Sequence, residues 1–405
     1  MSDSVRSDAL PLDRLRDLVL ADEALQAILV PLDAEALSRR LLALAGARGI
    51  AVRAADLAQL LRPDPIGISA LTDPVPLRRC WPSADRLPVA MRRLPTGEAA
   101  VDWAHFGGAR LGAPFFAGDV RLVEARPFNR LFRYRMRLDD FIAASAGESL
   151  PEPDGFVFHM SRCGSTLVTQ MLAALPESEI VSEPAPLDVA ARRAVAGAAA
   201  DPVALLRATV GAFGRRGGRP FVVKLGFWQA LALPLYRRAF PSVPWLFLFR
   251  EPVEVLVSQL RERGPETMPL VSPIPGIDPA APDEDQIAQA LAAVCEAAAD
   301  AASAGGGLFA DHADLPDAVF TAILPHFGLD AEGARAAMDA AAHRDAKTPS
   351  AAFEADGAAK RAQADERLHA AAERRLGGLH RRLKALSVGT QAAAGSPREG
   401  RRPGD

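Results

Sequence analysis

Leucines spaced three and four apart open the chain. Leu12, Leu15, Leu18 and Val19 mark one helical face, and Leu25, Ile28 and Leu29 mark a second after a cap at Asp22. Leu37, Leu41, Leu44 and Ala45 line a third helix, which starts after Asp33 and stops at Gly49. A short fourth helix carries Leu57, Leu60 and Leu61 and ends at Pro63. Residues 1–63 therefore read as a small helical domain. Over 64–150 no period emerges: Pro and Gly recur, with aromatic clusters at Trp103, His105 and Phe106 and at Phe115 and Phe116. That stretch reads as an irregular connecting region.

From 151 onward short apolar runs alternate with helical stripes. Phe156-Val157-Phe158, Glu179–Ser182, Phe221-Val222-Val223 and Trp245–Phe249 read as strands, and Leu308-Phe309-Ala310 as a last one. Helices are predicted at about 165–175, 187–197, 201–214 and 228–240, and from Val253 through Leu260. Trp245–Phe249 has no polar position, as in a strand buried on both faces of a parallel sheet. The alternation predicts an α/β core over 151–328, a parallel sheet flanked by helices. Within it, 263–283 is Pro-rich and aperiodic, a surface loop or lid, and 286–302 is an Ala-rich helix. Residues 329–387 read as C-terminal helices around a turn at Lys347-Thr348-Pro349, and 388–405 as a disordered tail.

Composition and charge narrow the picture only a little. The 405 residues carry a net charge of −3, which suggests neither nucleic acid nor a membrane surface as an obligate partner. Cys80, Cys163 and Cys295 are far apart and form no CxxC pair, so neither a zinc site nor a disulfide framework is expected. The first residues lack a basic-then-apolar signal, and no apolar run approaches membrane-spanning length; a cytoplasmic protein is the expectation. The basic run at 126–137, RPFNRLFRYRMR, reads as a solvated face or an internal salt-bridge partner.

The chemistry concentrates between Gly155 and Glu183. A strand, the tight loop Ser161-Arg162-Cys163-Gly164-Ser165 and a helix N-terminus together make an anion site, because unpaired N–H groups and the positive end of the helix dipole point the same way. A nucleotide-triphosphatase loop would read GxxxxGK[ST]. Here Gly164 is followed by Ser165 and Thr166, no lysine is present, and the cation has moved ahead of the glycine, to Arg162. The buried strand 245–249 ends in Arg250, where such an enzyme would place a magnesium-binding acid. Both departures favour fixed positive charge over a metal. Arg162, Glu183, Lys224 and Arg250 all fall at or just beyond strand carboxyl ends, where ligands gather in such sheets.

Ser161-Arg162-Cys163-Gly164-Ser165-Thr166-Leu167 resembles the 5′-phosphosulfate loop of P-loop sulfotransferases, in the arginine-bearing form of tyrosylprotein sulfotransferases and many bacterial members. Arg250-Glu251-Pro252-Val253-Glu254-Val255-Leu256-Val257-Ser258 resembles their 3′-phosphate motif, and the intervening FVVKLGFWQALALPLYRRAFPSVPWLFLF has the family's look. The resemblance implies the donor 3′-phosphoadenosine 5′-phosphosulfate (PAPS), no metal, and transfer of a sulfuryl group to a hydroxyl or amine on a small-molecule or peptide acceptor. It places Arg162 on the bridging oxygen and 5′-phosphate, with Gly164, Ser165 and Thr166 holding that phosphate and Arg250 and Ser258 holding the 3′-phosphate. Glu183 stands where tyrosylprotein sulfotransferases carry their catalytic glutamate and would be the general base. Cys163 replaces a serine usual in the family, which leaves one donor contact open, and Lys224 is placed to touch the donor or the transferring group. His159 is the other candidate base, against a reading as a packed core residue. The leucine pattern at the start of the chain resembles the small helical domain of nitrogen-fixation-associated proteins and peptide leaders. It equally reads as an ordinary cap or a dimerisation unit, so a homodimer is allowed. Two alternatives stand beside the sulfotransferase: a non-catalytic nucleotide- or peptide-binding module, and an ATP-dependent kinase, whose lysine and acid are missing here.

Overall fold

The computed structural model describes residues 10–62, 75–272, 274–344 and 357–387. The stop at Pro63, the turn at Lys347 and the tail at 388–405 lie outside the described residues. The chain divides into two compact units: Met1–Arg110 with Phe116–Leu150 and Gly211–Arg216, and Leu111–Phe115 with Pro151–Val210 and Gly217–Asp405.

In the first unit the opening residues form helices Pro11–Leu20, Glu23–Leu29, Ala34–Ala47 and Ala54–Leu60. Asp22 and Asp33 cap the second and third, accepting from the N–H of Leu25 (2.9 Å) and Ala36 (2.8 Å). Leu15, Val19, Leu29, Leu37, Leu41 and Leu57 form the core with Phe128, Leu131 and Phe132. Ile28, read as inward, is 53 % exposed, and Val30 takes the inward place. The shift follows from the end of that short helix at Leu29.

Residues 64–150, expected to be irregular, carry a four-stranded sheet: β1 (Leu77–Arg78), β2 (Arg86–Arg93), β3 (Ala99–His105) and β4 (Tyr134–Arg137), in the order β1-β4-β3-β2. The β2–β3 pair is an antiparallel hairpin whose register shifts between Pro88 and Ala90. A proline inside a strand and a local bulge erase the two-residue alternation that would have revealed it. Trp81 stacks on Phe141 with ring centroids 5.0 Å apart, and Trp103 lies edge-on to Trp81. The basic run is structural: Arg126 donates to the Phe106 carbonyl (2.7 Å), Arg130 to that of Leu61 (3.1 Å), and Arg135 pairs with Asp102.

The second unit is built on β5 (Gly155–His159), β6 (Glu179–Ser182), β7 (Phe221–Lys224), β8 (Trp245–Phe249) and β9 (Gly307–Asp311). All neighbours are parallel, in the order β6-β7-β5-β8-β9, and every residue of β5 through β8 is buried. This is the expected parallel sheet flanked by helices. Among those helices, the segment Asp283–Ala304 meets the length and apolarity of a membrane span, contrary to the reading that no such run exists. Its Ile287, Leu291, Val294 and Ala298 are buried inside the unit.

The strand order creates one crevice. From β5 the chain crosses to β6, beyond β7; from β7 it crosses to β8, on the other side of β5. Connections leaving neighbouring strands therefore diverge at the carboxyl end of β5, the place where such sheets bind ligands.

Candidate functional site

The chain leaves β5 through Met160 and turns sharply. Ser161 (φ 65°), Arg162 (φ 50°) and Gly164 (φ 87°) all adopt left-handed backbone before the helix Ser165–Ala173 begins. Such backbone aims successive N–H groups into an anion-binding concavity, and the helix N-terminus continues it. Gly164 is required twice over: for its φ, and because a Cβ there would lie 2.8 Å from Leu315 Cδ1 and 3.0 Å from His312 Cδ2.

Side chains pin the loop from behind. Ser161 N–H donates to His159 Nδ1 (3.1 Å), and Ser161 Oγ accepts from Gln259 Nε2 (2.9 Å). Because Nδ1 accepts, the His159 proton sits on Nε2, which donates to the Leu225 carbonyl (3.0 Å). His159 is buried, and taking a second proton would break its bond to the loop. It fits the packed core reading better than that of a base. Cys163 is also turned inward. Its thiol donates to the Leu248 carbonyl at 3.2 Å, and burial pushes its pKa up to about 12. What Cys163 can offer an anion is its backbone N–H.

Lys224 ends β7 with no exposed surface. Its ammonium lies 2.9 Å from Glu183 Oε1 and 3.2 Å from Thr166 Oγ1, with the Phe115 ring centroid at 4.8 Å. Glu183, just past β6, is itself left-handed (φ 52°), and its side chain keeps 28 % of its surface accessible. His159 Nε2 stands 3.6 Å from the same Oε1. Burial pushes the Glu183 pKa up. The Lys224 ammonium, helped by His159, overrides that push and holds it down at about 2. Ser165, Thr166, Lys224, Glu183 and His159 therefore converge around the end of β5.

The two arginines follow adjacent strands, β5 and β8. Arg162 reaches the end of the helix Pro252–Arg261, donating to Glu262 Oε2 (2.9 Å) and to its carbonyl (2.7 Å). Arg250, the first residue after β8, donates its backbone N–H to Met160 Sδ (3.2 Å) and its Nε to Glu254 Oε2 (2.6 Å). Ser258 lies half-buried one helical turn beyond Glu254.

Several neighbours carried no sequence signal of their own: Glu254, Gln259, Glu262 and His312. Lys360 is 6 % exposed on the helix Gly357–Gln363, and the adjacent Arg361 pairs with Glu254. Arg162, Lys224 and Arg250 each rest on a carboxylate, so an incoming anion finds positive groups already in place and must share them. No protein-family model matches the chain, and no curated protein matches it.

Proposed function

We propose that the protein is a sulfotransferase on a P-loop-type core, moving the sulfuryl group of PAPS to a hydroxyl or amine of a small-molecule or peptide acceptor in the cytoplasm without a metal. The observation that carries this reading is the position of two arginine-bearing turns on adjacent strands. Arg162 follows β5 and Arg250 follows β8, and the contact of Arg250 N–H with Met160 ties the second turn to the start of the first. Turns that follow neighbouring strands, about 5 Å apart, support a single bisphosphorylated nucleotide as their shared ligand.

The donor supplies an activated sulfur–oxygen bond. The N–H groups of Gly164, Ser165 and Thr166 and the Thr166 hydroxyl would hold its 5′-phosphate, and Arg250 and Ser258 its 3′-phosphate. The acceptor oxygen forms a bond to sulfur as the bond from sulfur to the 5′-phosphate oxygen breaks. That electron pair leaves with the phosphate, and the acceptor's proton passes to Glu183. Arg162 and Lys224 face the charge that grows on the leaving oxygen, where preorganised cations lower the barrier most. The Glu262 side chain is 80 % exposed, so the hold of its carboxylate on Arg162 is weak and an anion can displace that contact.

A second reading draws on Glu183 itself. A carboxylate held near 2 is a feeble base at neutral pH, as expected of a module that binds the nucleotide without turning it over. Calorimetry with adenosine 3′,5′-bisphosphate against ATP–magnesium tests the donor class; preference for ATP–magnesium refutes the proposal. Labelled PAPS incubated with metabolite and peptide pools separates catalyst from module, since only the catalyst labels an acceptor that Glu183→Gln leaves unlabelled.

A further inference from the structure

We infer that Glu183 and Lys224 form a latch that the donor opens, so that the base is unmasked only on the donor-loaded protein. This rests on the sulfotransferase reading and adds an order of events to it.

The geometry puts one ammonium between two claimants. Lys224 Nζ touches Glu183 Oε1 on one side (2.9 Å) and Thr166 Oγ1 on the other (3.2 Å), and Thr166 belongs to the first turn of the helix whose N–H groups face the anion. Lys224 has no exposed surface, so water cannot take the place of either contact. An anion seated on the loop beside Thr166 draws the ammonium toward itself, and Glu183 loses its main counter-charge. His159 cannot replace it: its Nε2 is 3.6 Å away and committed to the Leu225 carbonyl. Of the pair, Glu183 alone has accessible side-chain surface from which to meet an acceptor.

The acid–base consequence follows the same path. With Lys224 in place Glu183 is held well below the usual carboxylate range, while burial alone acts in the opposite sense. Sharing Lys224 with the donor therefore raises the proton affinity of Glu183 at the moment a base is needed. The titratable groups facing Glu183 are Lys224 from β7 and His159 from β5. His312 approaches Gly164 from the segment after β9, while Arg162 and Arg250 are turned to Glu262 and Glu254. The acceptor then reacts only after the donor has bound, which keeps an idle base away from solvent-borne hydroxyls.

The test is titration calorimetry of adenosine 3′,5′-bisphosphate and of adenosine 3′-monophosphate, which lacks the 5′ anion, into the full-length protein and Glu183→Gln. Freed of its competitor, the variant binds the bisphosphate tighter, on the order of fivefold, the scale of removing one nearby like charge. Binding of the 3′-monophosphate stays unchanged. An unchanged or weaker bisphosphate affinity, or an equal gain for both nucleotides, overturns the latch. Should the Gln variant fail to fold, proton uptake by the wild type at pH 5, read from binding heats in two buffers, serves instead. Uptake with the bisphosphate alone supports the latch, and its absence refutes it. If the wild type binds neither nucleotide, the sulfotransferase reading itself has failed, an outcome distinct from a latch that does not open.

Discussion

Removing the charge of Lys224 while keeping its bulk, Lys224→Met, tests the electrostatics of the site most directly. In the wild type the Glu183 pKa falls from 4.5 to about 2 on folding, a difference near 2.5. At roughly 1.4 kcal/mol for each step of one in pKa this corresponds to about 3–4 kcal/mol of stability. Because the folded pKa is depressed, that contribution is fully present above pH 4.5 and drains away as pH falls toward 2. In Lys224→Met the carboxylate keeps its burial and loses its counter-charge, so its pKa moves above the ordinary value. The variant is then less stable than the wild type at pH 7 by ~3 kcal/mol or more, the usual cost of breaking a buried pair from one side. Its deficit shrinks as the pH falls toward 4.5, where Glu183 protonates in the variant, and shrinks further below 4.5 as the wild type loses its advantage. Urea denaturation of both proteins at pH 7, 5 and 3.5 reads the difference as a shift in midpoint. The double variant Lys224→Met with Glu183→Gln recovers much of the loss, since no lone charge is left buried. A deficit that is independent of pH, or one below ~1 kcal/mol at pH 7, would refute this account of the pair.

Other expectations are simpler to read. Gly164→Ala, which combines a left-handed φ with a Cβ 2.8 Å from Leu315, abolishes nucleotide binding by calorimetry and lowers stability by ~1–3 kcal/mol. Arg250→Gln weakens adenosine 3′,5′-bisphosphate at least tenfold in the same assay and leaves adenosine 5′-monophosphate nearly unaffected, because Arg250 is assigned to the 3′ end. Native protein treated with a thiol reagent at pH 7.5 gains an adduct at exposed Cys80 by mass spectrometry, while buried Cys163, with its pKa pushed up to about 12, stays unmodified. If the protein is the proposed sulfotransferase, turnover of PAPS persists in EDTA, because the proposal assigns the charge on the leaving oxygen to Arg162 and Lys224.

The core of the second unit was legible because its strands are short, apolar and regularly interrupted. Phe156-Val157-Phe158 and Trp245–Phe249 leave no other reading, and the small residues between β5 and its helix mark the turn. The sheet of the first unit was not legible. β3 (AAVDWAH) buries Ala100, Val101, Trp103 and Ala104 in a pattern without alternation, and β2 contains Pro88. Sequence also placed Arg162, Glu183, Lys224 and Arg250 at strand ends, because strand ends can be counted. Which carboxylate each cation rests on was out of reach. The Arg162–Glu262 pair joins residues 100 positions apart, and rotamers in a folded crevice decide it. Lys360 shows the same limit: its burial comes from the packing of helix Gly357–Gln363, and nothing in its own neighbourhood of sequence announces it.

The way Ser161 is clasped by His159 and Gln259, with the Cys163 thiol anchored on Leu248, has a consequence for recognition. A cradle whose shape is fixed before its guest arrives gives up little conformational freedom on capture, so more of the contact energy shows up as affinity. Under the proposed function such a cradle would sort visitors by contour as well as by charge, since a flat carboxylate and a tetrahedral oxyanion carry the same sign but differ in shape. Gln259, which need never touch the guest, would then govern how sharply that distinction is drawn.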